Sequence, residues 1–88
     1  MLSSTNDLGA SLYKSWTETQ RKDEIRKLVQ GYRNGVPVGI LCKMAETVAG
    51  SRKKARRYLQ QFMTAEERAA AVNSVSGGLL PLVTGFLS

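Results

Sequence analysis

The chain's 88 residues allow a single domain, 1–88, with one small core. Hydrophobic residues make up 42% and charged residues 23%, which excludes global disorder, while one cysteine and no histidine exclude a disulfide framework and the usual metal-ligand spacings. Thirteen Lys and Arg against seven Asp and Glu give a net charge of +6, so the expected partners are polyanions: nucleic acid, anionic lipid or an acidic protein.

The charge is unevenly placed. All basic residues except Arg68 fall between Lys14 and Arg57, and no charged side chain follows Arg68. The N-terminus "MLSSTNDLGASLY" lacks a basic region followed by an apolar run, so no secretory signal is expected there. A soluble cytoplasmic protein is the default expectation.

The first periodic stretch runs over residues 5–34. Leu8, Leu12 and Trp16 recur every four residues, and Ile25, Leu28, Val29 and Tyr32 continue at helical spacing. Thr17 and Gln20 have the spacing of a capping box, so the pattern allows one long helix or two with a break near residue 17. Asn34-Gly35 supplies a stop. Glu18 and Asp23 stand four residues before Lys22 and Lys27 and are expected to pair with them along the helix. Tyr13, Trp16 and Tyr32 follow the apolar stripe, which favours core packing over base stacking.

A second helix is expected after Val36-Pro37, with Ile40, Leu41, Met44, Ala45 and Val48 facing inward. Cys42 is expected to be a small buried hydrophobe. Gly50 is placed to end this helix in a left-handed conformation. Ser51 can cap the third, where Ala55, Tyr58, Leu59, Phe62 and Met63 hold one apolar face.

Thr64 and Glu67 form a second capping-box pattern and open a fourth helix, with Ala69, Val72 and either Val75 or Ala71 inward. The apolar tail 77–88, "GGLLPLVTGFLS", is too short to span a bilayer and is interrupted by Pro81 and Gly85; it fits an extended segment or a short helix. It can fold back over the bundle or, the favoured expectation, join a homo-oligomer interface. The fold class is therefore all-α, a small bundle of four or five helices.

Function is most legible in "AGSRKKARRYLQQ". Five of the seven residues after Gly50 are basic, and no acidic residue stands three or four places onward to neutralise them; Glu46, Glu66 and Glu67 lie too far along the chain for intrahelical pairing. Residues 38–62 have the layout of a helix-turn-helix unit: two short helices, a tight glycine-containing turn and small residues, Ala45, Ala49 and Gly50, at the join. The glycine sits one place later than in many such units. Met44, Val48, Ala55, Tyr58 and Leu59 would face inward. Ser51, Arg52, Lys53, Lys54, Arg56, Arg57 and Gln60 would face a nucleic acid, arginine pairing with guanine edges and lysine holding phosphate. Arg26, Arg33 and Lys43 are candidate phosphate contacts outside this helix.

No histidine, paired buried carboxylates or phosphate-binding glycine loop is present, so neither catalysis nor a cofactor is expected. Three readings follow: a regulator that binds duplex DNA, as a dimer spanning successive major grooves; an assembly protein whose basic face meets an acidic partner or anionic membrane; and an RNA binder of low sequence specificity.

Overall fold

The computed structural model describes residues 13–88. Five helices follow in order: α1 (Glu18–Arg33), α2 (Val38–Ala49), α3 (Arg52–Phe62), α4 (Ala65–Asn73) and α5 (Leu79–Leu87). The described residues contain no strand, and the fold is the small all-α bundle that the periodicity calls for.

Helix boundaries follow from local chemistry. Thr17 caps α1 through a complete capping box: its hydroxyl accepts from the Gln20 N–H, and the Gln20 side chain accepts from the Thr17 N–H. Thr64 and Glu67 repeat the arrangement at α4, and Ser51 caps α3 by accepting from the Lys54 N–H. Residues 13–15 form a turn and α1 starts only after Thr17, so a single unbroken helix over 5–34 is excluded. The apolar repeat at Leu8 and Leu12 lies outside the described residues.

Chain neighbours pack together, α1 on α2 and α2 on α3, while α1 also meets α3. These three helices enclose Ile25, Val29, Leu41, Cys42, Ala45, Val48, Ala49, Ala55, Tyr58 and Leu59. Helix α5 closes over α2, α3 and α4, adding Val83, Phe86 and Leu87 to the same core. The tail thus folds back over the bundle as a helix. Pro81 is tolerated because it is the third residue of α5, within the first turn, where no intrahelical partner for an N–H exists. Val83, Phe86 and Leu87 are used within the chain, so a role for the tail between copies rests on its exposed start, Leu79 and Leu80.

Two inward assignments are corrected. In α2 the buried residues are Val38, Leu41, Cys42, Ala45, Val48 and Ala49, whereas Ile40 and Met44 face solvent. The helix is apolar around much of its circumference, so its own pattern leaves the rotation open, and packing against α1, α3 and α5 sets it. In α4, Ala69 is exposed and Ala71 is the buried alanine, with Val72, and Val75 just beyond the helix, half-buried. Tyr13, Trp16 and Tyr32 pack against the core as expected, the first two edge to face with ring centroids 4.7 Å apart.

The entry to α1 is locked by Arg21. Its guanidinium donates to the backbone carbonyls of Tyr13, Trp16 (3.3 Å) and Val48 (2.6 Å), joining the turn before α1 to the last turn of α2. Beside it, Gly50 has φ +90°, and a Cβ there would stand 3.3 Å from Arg21 Nη1. Gly50→Ala is therefore expected to cost about 1–2 kcal/mol, through left-handed strain and displacement of a held guanidinium. Gly78→Ala, at φ −65° with open space around the new Cβ, is the control and is expected to be neutral or slightly stabilising. Thermal melts of the two variants followed by circular dichroism check the contrast.

Candidate nucleic-acid interface

Helix α3 buries Ala55, Tyr58 and Leu59, and this sets where its cations point. With about 100° of turn per residue, Lys53, Arg57 and Gln60 fall on the side opposite the core. At spacings i, i+4 and i+7 they form one outward stripe about 10 Å long. All three are exposed, and among the described residues no hydrogen bond or ion pair engages their side chains.

The cations at the edges of the helix are placed differently. Lys54 Nζ lies 3.5 Å from Glu18 Oε1 at the start of α1, and Arg52 Nε lies 3.8 Å from Glu46 Oε2 across the turn. The Arg52 guanidinium also lies over the Phe86 ring, 5.4 Å from its centroid. Arg56 Nη2 donates to the Ser88 carbonyl oxygen at 2.8 Å. So Glu46, too distant for pairing within a helix, reaches the cluster through the fold, as does Glu18 from a separate helix. Two of the five cluster cations gain an acidic neighbour in this way; Lys53, Arg56 and Arg57 gain none among the described residues.

That balance matters energetically. Arg52, Lys53 and Lys54 occupy the first turn of α3, which contains no acidic residue. Cations at the positive end of a helix dipole are unfavourable, by about 0.3–1 kcal/mol each when exposed. Ser51 capping and the two carboxylates offset part of this, and an external anion would offset the rest.

Tyr58 ties the helix to α1 from the buried side. Its hydroxyl donates to Glu18 Oε2. That hydrogen bond, with Lys54 beyond it, holds the Glu18 carboxyl below its ordinary value, while burial and the carboxylate push the Tyr58 hydroxyl up. Glu18 therefore pairs with Lys54 and Tyr58 rather than with Lys22, which lies over the Tyr58 ring at 5.6 Å. Asp23 pairs with Arg26 at 2.8 Å rather than with Lys27.

The outlying candidates divide. Arg33 is committed: Nε and Nη2 reach the two Glu67 oxygens at 2.7 and 2.8 Å, and Nη2 also donates to the Phe62 carbonyl. Arg26 carries the Asp23 pair and lies over the Phe62 ring at 4.8 Å. Lys43 is exposed on α2 and forms no ion pair among the described residues. Arg26 and Arg33 are thus engaged within the fold, and Lys43 lies on a different helix from the stripe of α3.

The Arg33–Glu67 pair has a pH signature. The paired guanidinium and the Thr64 N–H bring the Glu67 pKa down from 4.5 to about 2. A carboxylate with a lowered folded-state pKa contributes stability above its unfolded value and loses it as pH falls through the folded value. The urea midpoint is expected to drop between pH 4.5 and 2, and Glu67→Gln to flatten that drop, leaving the smaller slope due to Glu18. An unchanged slope in the variant would remove the pair from the acid response.

Among the described residues, no cluster of three His, Cys, Asp or Glu side chains is placed to hold a metal ion, and no helix is long and apolar enough to cross a membrane. Cys42 is fully buried and its thiol is pushed up to about 11 by burial. Comparison of the chain with protein-family models, with curated proteins and with solved structures finds no match.

Proposed function

We propose that the chain is a duplex-DNA-binding protein in which α2 and α3 act as a helix-turn-helix unit and α3 enters the major groove. The observation that carries this reading is the outward stripe of α3. Lys53, Arg57 and Gln60 are exposed without protein partners, while Arg52 and Lys54 at the edges are held by Glu46 and Glu18. Three side chains at this spacing match the two or three successive base positions that a recognition helix contacts with its first turns. Arg57 supplies a two-pronged donor for guanine, Gln60 a paired donor and acceptor for adenine, and Lys53 a phosphate or guanine contact. Arg56 retains open donors for the adjacent phosphate.

The local architecture supports the same reading. A two-residue turn, Gly50-Ser51, joins α2 to α3, and α1 braces both helices from behind through Arg21 and Glu18. A regulatory or accessory role suits a domain of this size.

Fluorescence anisotropy with random-sequence duplex DNA, single-stranded RNA and anionic vesicles tests it. Duplex binding is expected to be the tightest of the three and to weaken with salt at a logarithmic slope of about −3 to −4, as for four or so phosphate contacts. Absence of duplex binding at about 50 mM salt would overturn the proposal. Equal affinity for duplex and RNA would reduce it to phosphate binding without groove recognition.

A further inference from the structure

We propose that the outer face of α2 and the start of α5 form a homodimer interface, with a second copy of this chain seated on the same face. The large hydrophobic side chains left exposed among the described residues are Val36, Ile40, Met44, Leu79 and Leu80, each between 40% and 48% exposed. None lies on α1, α3 or α4. Ile40 and Met44 are one turn apart on the solvent side of α2, whereas Val36 precedes the cap residue Pro37 and turns its Cγ2 to within 3.5 Å of where a Gly31 Cβ would stand, at the end of α1. Leu79 joins Ile40 and Met44 from α5: its Cδ2 lies 3.5 Å from where a Gly39 Cβ would stand, next to Ile40 in the chain. A Cβ at Gly39 would make ordinary van der Waals contact there, so the start of α5 rests directly on the start of α2.

Size and charge both point to a second copy. Ile40, Met44, Leu79 and Leu80 at this exposure offer roughly 300 Å² of apolar surface, the apolar centre of an interface to which each partner gives roughly 800 Å². Patches of this size on small proteins are often functional. The side chains of this patch are all apolar, and Lys43, next to Met44 in α2, is exposed. The clustered cations that would attract an acidic partner or a phosphate backbone are on α1 and α3, with Lys43 alone on α2. A neutral apolar face is complementary to itself, and pairing through it leaves the basic stripe of α3 uncovered.

The salt response of such a dimer is opposite in sign to that of nucleic-acid binding. Each copy carries +6, so screening relieves repulsion between copies while apolar burial is unaffected or strengthened. Sedimentation of the full chain without DNA, from about 1 to about 300 µM and at about 0.05 and 0.5 M salt, is the test. The expected result is a monomer–dimer equilibrium in the micromolar range that tightens at the higher salt. Ile40→Ser, at an exposed position, is expected to weaken it about tenfold, with helix content retained. A dilution series of wild-type amide chemical shifts needs no variant, and its changes should centre on residues 40–44 and 79–80. A monomer throughout the range, or a dimer whose shifts centre elsewhere and that survives Ile40→Ser, would overturn the proposal. Because no DNA is present, either failure leaves the reading of α3 standing.

Discussion

Replacing Lys53 and Arg57 together by alanine is expected to weaken duplex DNA binding about a hundredfold, at ~1.4 kcal/mol for each lost contact, without lowering the thermal midpoint. The two effects separate because neither side chain has a partner in the fold or covers its core. Surface substitutions of this kind shift stability by less than about 0.5 kcal/mol, and removing two cations from a crowded helix face is mildly stabilising. Gln60→Ala is expected to change which sequence is preferred while leaving affinity for random duplex nearly as it was, since a neutral amide reads base edges and contributes little to the salt-dependent term. Arg33→Ala is the contrasting control. Its guanidinium is bound to Glu67, so the loss falls on stability and duplex affinity changes little. A double variant that binds within twofold of the parent would remove α3 from the interface.

Phe86→Ala is expected to unfold most of the protein at 25 °C. Phe86 is fully buried in α5, and truncating a core phenylalanine costs about 3–5 kcal/mol from lost transfer energy and the cavity left behind. A core of this size supplies only about 3–5 kcal/mol in total. The same ring lies beneath the Arg52 guanidinium, so its loss also removes a cation–π contact from the start of α3. Leu80→Ala, in the same helix but exposed, should stay within about 0.5 kcal/mol of the parent when measured at submicromolar protein, where copies do not pair. Urea titrations followed by circular dichroism distinguish the two. A Phe86→Ala protein as stable as the parent would mean that α5 is a dispensable appendage and not part of the core.

Local chemistry was legible in the sequence where one residue acts on its own neighbourhood. The caps at Thr17, Ser51 and Thr64 and the left-handed end at Gly50 depend on side chains three residues apart or on one φ angle, and they stand where the spacing puts them. The face of α3 was legible because a cationic side and an apolar side leave one rotation. Helix α2 has no such contrast: with Ile40, Leu41, Cys42, Met44 and Ala45 all apolar, several rotations bury a similar area, and the choice falls to Leu79 resting against Gly39 and to the neighbouring helices. The three consecutive alanines of α4 give equally little direction. Ion pairs were legible only as local candidates. Arg33 meets Glu67 and Lys54 meets Glu18 across more than thirty residues of chain, a separation that helical periodicity does not address. The division of the basic cluster into held edges and an unpartnered stripe therefore emerges only once the helices are packed.

Cys42 gives this small bundle a clock. It is the chain's single thiol, wholly enclosed between helices, and burial pushes its pKa up to about 11, so inside the fold it is neither reachable nor in the reactive thiolate form. A thiol reagent must therefore wait for the helices around it to part. When labelling is fast compared with reclosing, the labelling rate is the opening rate; when it is slow, the rate reports the population of the opened state. One sulfur atom thus records how often α2 comes away from its neighbours, with no probe added to the chain.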